Sequence, residues 1–170
     1  AVAISHVAPA STLQRVNELL FNDSRSDLFV TVFYAVWEPS IGRIEYANGG
    51  HNPSVLIRAK EKTVTELSLP GIALGIIPDI KLSQKQLTLK TGDVLVAYTD
   101  GVTEAMNSRH ELFTEERLLD CLRGDPEASA AEVATRVDEA VATFVDGAPP
   151  SDDLTMVVLR YLGGSPQLRQ

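Results

Sequence analysis

The chain has 170 residues, enough for one domain with a sizeable buried core. Its formal net charge of −8 argues against non-specific binding to nucleic acid or to an anionic membrane surface, which needs clustered basic side chains. One cysteine, Cys121, leaves no intrachain disulfide or zinc knuckle, and no run of about 18 apolar residues offers a transmembrane helix, so a cytoplasmic protein is expected.

In chain order, STLQRVNELLF (11–21) sets Leu13, Val16, Leu19 and Leu20 at helical spacing behind Ser11, a residue type suited to the N-cap. A polar loop follows at 22–27. LFVTVFYAVW (28–37) is β-branched and aromatic and predicts a mostly buried strand that includes Trp37. IEYAN (44–48) pairs back on it as a hairpin, GGHNP (49–53) breaks the chain again, and SVLIRA (54–59) and VTELSL (64–69) continue what reads as one antiparallel meander. PGIALGI (70–76) predicts irregular chain packed on the core, KLSQKQLTL (81–89) a half-exposed strand, and VLVAYT (94–99) a buried one. A short helix follows with Thr114 as its cap and Cys121 as a small core residue. In SAAEVATRVDEAVATFV (129–145), Ser129 and Glu132 form a capping box ahead of the face Val133, Val137, Val141 and Phe144. LTMVVLRY (154–161) predicts a last buried strand, and 163–170 a flexible tail. Strands in succession with helices around them predict an α+β fold within residues 1–162.

Two acidic stretches stand out. In YTDGVTEA (98–105), Asp100 and Gly101 end a buried strand and Glu104 follows one helical turn later. In SDDLT, Asp152 and Asp153 open the last strand. If those strands pair antiparallel, the end of one lies level with the start of the other, about 4.8 Å away, and the acids meet at one rim. Carboxylates so placed repel unless a cation lies between them, and carboxylate-only sites suit Mg²⁺ and Mn²⁺. The plain alternatives are a strand-exit turn at Asp100 and a solvated loop at Asp152–Asp153.

The segments FVTVFYAVWEPSIGRIEYANGGHNP, GDVLVAYTDGVTEAMN and SDDLTMVVLR, in that order, resemble the three signatures of the SpoIIE/RsbU family of bacterial serine/threonine phosphatases. The resemblance covers roughly residues 10 to 162. It implies the metal-dependent, protein phosphatase 2C-like fold, with two antiparallel sheets packed face to face and flanked by helices. It also implies a two-metal Mn²⁺ or Mg²⁺ site built from Asp100, Gly101, Asp152 and, more weakly, Asp153, with Glu104 acting through water. The substrate implied is a phosphorylated protein resembling an anti-sigma-factor antagonist, in stress or sporulation signalling.

One departure matters. The family's Gly-Asp-x-x-Gly hairpin, whose aspartate bridges both metals, has no counterpart here and would lie before residue 1. The expectation is therefore a chain lacking its N-terminal strands, with one ion or none, and weak or inactive alone. In its parent it would join a sensor or receiver domain, with a homodimer as one arrangement. The alternative function is a non-catalytic module that binds a partner through the phosphatase fold. His51 is expected to fix its turn by hydrogen bonding to backbone rather than to act as an acid.

Overall fold

In the computed structural model, which describes residues 8–22, 29–149 and 152–164, seven strands form two antiparallel sheets with helices flanking them. The described chain divides into two compact units. His6, most of the predicted loop at 22–27 and all but two residues of the predicted tail fall outside the described residues.

The first unit holds α1 (Pro9–Asn22), β1 (Val32–Glu38), β2 (Arg43–Gly49) and β5 (Gln84–Thr88), with sheet order β1-β2-β5. The predicted hairpin is present, in a register running from Val32 opposite Gly49 to Glu38 opposite Arg43. The rings of Phe33 and Tyr46 stack across it with centroids 5.4 Å apart. The strand is not mostly buried as predicted. β1 is an edge strand of this sheet, and Trp37 is 39% exposed.

Helix α1 also differs from its prediction. It starts at Pro9, two residues before Ser11, because proline at the first helical position lacks only an N–H that would be unbonded anyway. The face it buries on β1 and β2 is Ala10, Leu13 and Asn17, while Leu19 is 59% exposed. Asn17 is fully buried because both ends of its amide are bonded. Nδ2 donates to the Ile77 carbonyl at 3.0 Å, and Oδ1 accepts from the Gly75 N–H at 2.8 Å. Asn17 thereby ties the irregular 70–76 segment to the helix.

The second unit holds β3 (Val55–Arg58), β4 (Thr63–Glu66), β6 (Val94–Tyr98), α2 (Asp100–Thr103), α3 (Thr114–Leu122), α4 (Ala130–Val145) and β7 (Met156–Arg160). Its sheet order is β4-β3-β6-β7. The single meander is therefore corrected: β2 pairs with β5, and β3 pairs with β4 and β6. The chain leaves β2 through Gly50, whose φ of 74° lies in the left-handed region that glycine adopts freely. Gly49, predicted to share that turn, is instead the last residue of β2.

The core of this unit sets Val55, Val94 and Val96 of the sheet with Val102, Leu118, Val137 and Val141 of the helices. Helix α4 carries the predicted capping box. The Glu132 N–H donates to Ser129 Oγ at 3.2 Å, and the Ser129 N–H donates to the Glu132 carboxylate at 2.7 Å. Thr114 does not cap α3. It is the first helical residue, with a φ of 73°, and Phe113 holds the cap position without a side-chain bond. Phe113 is buried edge-on to Phe144, with centroids 5.5 Å apart, and its N–H donates to the Ala105 carbonyl at 2.8 Å. Anchoring this ring places the helix start. The turn into β6 is held by Asp93, a fully buried carboxylate. It accepts from the Lys90 N–H at 2.8 Å, the Ala59 N–H at 3.2 Å and Arg58 Nη1 at 2.6 Å.

Candidate functional site

Strands β6 and β7 pair antiparallel from Val94 opposite Arg160 to Tyr98 opposite Met156. The pairing continues one step beyond the ladder. The Thr99 N–H donates to the Thr155 carbonyl at 3.0 Å, and the Thr155 N–H donates to the Thr99 hydroxyl oxygen at 3.1 Å. That hydroxyl lies 3.3 Å from the Asp153 carbonyl oxygen and 3.4 Å from that of Thr155. A threonine at this point thus clamps the exit of one strand to the entry of the other.

The chain then coils into α2. The Glu104 N–H donates to the Asp100 carbonyl at 2.7 Å, as does the Thr103 hydroxyl at 3.2 Å, so Glu104 stands one turn past Asp100. Gly101 is buried at the contact between the two segments. A Cβ built on it would lie 2.3 Å from the Asp153 carbonyl oxygen, closer than any side chain permits. The glycine of YTDGVTEA is therefore a packing requirement: the backbone of the first acidic stretch rests on the backbone of the second.

The structure thus brings Asp100, Gly101, Asp152 and Asp153 to one rim of the β4-β3-β6-β7 sheet, with Glu104 a turn away. All four acidic residues are exposed. The Asp153 N–H donates to Asp152 Oδ1 at 2.7 Å, which stiffens the approach to β7. In kind, these donors fit a hard divalent cation, because every one is an oxygen. In number they fall short. Among the described residues, no three His, Cys, Asp or Glu side chains gather closely enough to hold a metal ion.

His51 belongs to the other unit and fixes its own turn, as expected. Its Nδ1 accepts from the Asn52 N–H at 2.8 Å, while the Asn48 amide bonds both the His51 N–H and its carbonyl.

Two features near the rim carry no signal in the sequence. One is a cleft of about 210 Å³ beside Gly101 and Asp152, walled by Met106, Val141, Val145 and Leu154, with Asp138 at its edge. These residues come from three separate stretches. The other is a carboxyl pair. Tyr98, at the end of β6, donates through its hydroxyl to Glu115 Oε1 at 3.2 Å. Glu66, at the end of β4, is pushed up to about 7 by its hydrogen bond with Glu115, then by burial and by the Glu115 charge.

Compared with known proteins, residues 1–162 match the family model described as Stage II sporulation protein E (SpoIIE). Protein IcfG of Synechocystis sp. is 32% identical over 132 residues, which is 78% of this chain and 20% of that protein. Phosphoserine phosphatase RsbU of Bacillus subtilis is 27% identical over 154 residues, 91% of this chain and 45% of that protein. The chain therefore spans less than half the length of either relative. Among solved structures, the SiaA-PP2C domain of Pseudomonas aeruginosa superimposes with a TM-score of 0.79 at 18% identity, over 94% of this chain and 63% of that one. The likeness extends to the two antiparallel sheets and their flanking helices.

Proposed function

The chain belongs to the Stage II sporulation protein E family, and we propose that it is the phosphatase domain of a metal-dependent phosphoprotein phosphatase acting on phosphoserine or phosphothreonine. The observation that carries this function is the rest of Gly101 on the Asp153 carbonyl, which sets Asp100 and the Asp152–Asp153 pair on touching backbones at a sheet rim. RsbU, a phosphoserine phosphatase by name, supports the reaction class.

Asp100 and Asp152, completed by the aspartate of a Gly-Asp-x-x-Gly hairpin, would hold Mn²⁺ or Mg²⁺, with Asp153 and the Gly101 backbone beside them. A divalent cation held there would supply a water of lowered pKa and neutralise phosphoryl oxygens. The chain's own residues do the positioning. The Thr99 hydroxyl bridges the two strand ends and keeps the acids level, Gly101 lets the backbones close up, and Glu104 stands a turn away to accept a proton or orient water. No nucleophilic side chain is required. The substrate class proposed is a phosphorylated protein of the anti-sigma-factor antagonist kind, in cytoplasmic stress or sporulation signalling, with an attached sensor or receiver domain as input. No helix among the described residues is long and apolar enough to cross a membrane.

The test is Mn²⁺-dependent hydrolysis of an aryl phosphate and of a phosphoserine peptide. It uses the chain as it stands and the chain supplied with a Gly-Asp-x-x-Gly hairpin at its N-terminus. The expected result is weak turnover by the first, strong turnover by the second, and loss of both on chelation. Inactivity of both proteins at saturating Mn²⁺ would leave the non-catalytic partner-binding module as the function.

A further inference from the structure

The cleft beside the rim is the feature that the proposed reaction leaves unused. At about 210 Å³ it is smaller than the roughly 300–1,000 Å³ of small-molecule sites, and it suits one large apolar side chain. Val141 and Val145 of α4 and Leu154 line it, and Met106 adds an unbranched side chain that adapts to different shapes. Its charged lining residues, Asp138 and Asp152, are both acidic and exposed, and among the described residues no Lys, Arg or His lines it. Gly101 and Asp152 belong to the cleft and to the rim alike, so whatever fills the cleft has its neighbouring residues at the rim.

Resting on the phosphatase function proposed above, we infer that this cleft is the docking site for the substrate protein itself. It takes one apolar side chain a few residues from the phosphoserine, next to a Lys or Arg that faces Asp138. The anchor is the kind of contact that carries most of the energy of a small interface. The acidic edge selects a basic flank, and the shared residues place the phosphoserine at the carboxylates. Substrates carrying an acidic flank at that position are rejected.

The test uses fluorescein-labelled nine-residue peptides with a central phosphoserine in a Gly-Ser background, and a Leu-Lys pair moved through every position. Binding is read by anisotropy in Mn²⁺-free buffer, so that no turnover intervenes. One placement should bind roughly tenfold or more tighter than the background peptide, the scale of one buried Leu. Ala142→Trp, at an exposed α4 position lining the cleft, should return that peptide to background affinity with an unchanged melting temperature. Asp138→Lys should exchange the preference for Leu-Lys for one for Leu-Glu. Equal binding at every placement, or a preference that survives Ala142→Trp, overturns the docking site. Self-association of the wild type that Ala142→Trp abolishes also overturns it, because the cleft would then hold a second copy. Hydrolysis of aryl phosphate by the wild type, measured in parallel with the hairpin supplied, separates the two claims. Hydrolysis without a placement preference removes only the docking, and preference without hydrolysis removes only the reaction.

Discussion

Gly101 and Asp153 touch backbone to backbone: a methyl group on Gly101 would stand 2.3 Å from the Asp153 carbonyl oxygen and 2.9 Å from its carbon. Both atoms belong to main chain, so neither can swing aside as a side-chain tip would. Gly101→Ala should therefore push the two acidic segments apart. We expect a loss of about 1–3 kcal/mol in urea denaturation, the range of overpacked sites, with weaker Mn²⁺ binding in calorimetry. Unchanged stability would mean that the contact is loose in solution.

Asp93 should be among the most sensitive positions of the second unit. Asp93→Ala leaves the Arg58 guanidinium without its carboxylate and strips the Lys90 and Ala59 N–H groups of their acceptor. Breaking a buried pair from one side costs about 3–5 kcal/mol, and because Arg58 keeps some contact with solvent the lower end is expected. Chemical denaturation reads this directly, and a loss under about 1 kcal/mol would show that water replaces the carboxylate.

Glu66 predicts a pH dependence. Its carboxyl is pushed up to about 7 from the ordinary glutamate value near 4.5, first by its hydrogen bond with Glu115. The folded state thus holds this proton more tightly than the unfolded state. The stabilisation is fully present below about pH 4.5 and is lost as pH rises towards 7. Glu66→Gln keeps a donor facing Glu115 at every pH. The variant should match wild type at pH 4.5 and exceed it at pH 8, by up to about 1 kcal/mol after allowing for solvent screening of an exposed group. Parallel stability–pH profiles for the two proteins would show that the pair does not share a proton.

What the sequence discloses depends on how far apart the interacting residues lie. The capping box of α4 was legible because Ser129 and Glu132 are three residues apart and act on each other's backbone. The convergence of Asp100 with Asp152 and Asp153 was legible because antiparallel pairing of two apolar runs fixes which ends meet. The buried face of α1 was not. It turns on Asn17, a polar residue that satisfies its amide with a loop some 60 positions away, and hydrophobic spacing cannot register such a residue. Thr114 looked like a cap, but the burial of Phe113 decided where α3 begins. The split of the meander into two sheets was equally hidden, since β2 finds its partner in β5, beyond β3 and β4. The cleft beside the rim, assembled from three segments, has no local pattern at all.

The central claim is that the carboxylates at the β6–β7 rim hold the metal that drives phosphate ester hydrolysis. The most direct test is turnover of a phosphoserine peptide per folded molecule at saturating Mn²⁺, with the Gly-Asp-x-x-Gly hairpin supplied and folding checked by circular dichroism. Asp100→Asn removes a ligand charge while keeping the side chain's shape. It should lower turnover by at least about a hundredfold, since a metal centre contributes several kcal/mol to such a transition state. Asp152→Asn should do likewise, while His51→Ala should lower stability and leave the turnover of folded protein nearly intact. Near wild-type turnover by Asp100→Asn would contradict the account and leave YTDGVTEA as a strand-exit turn.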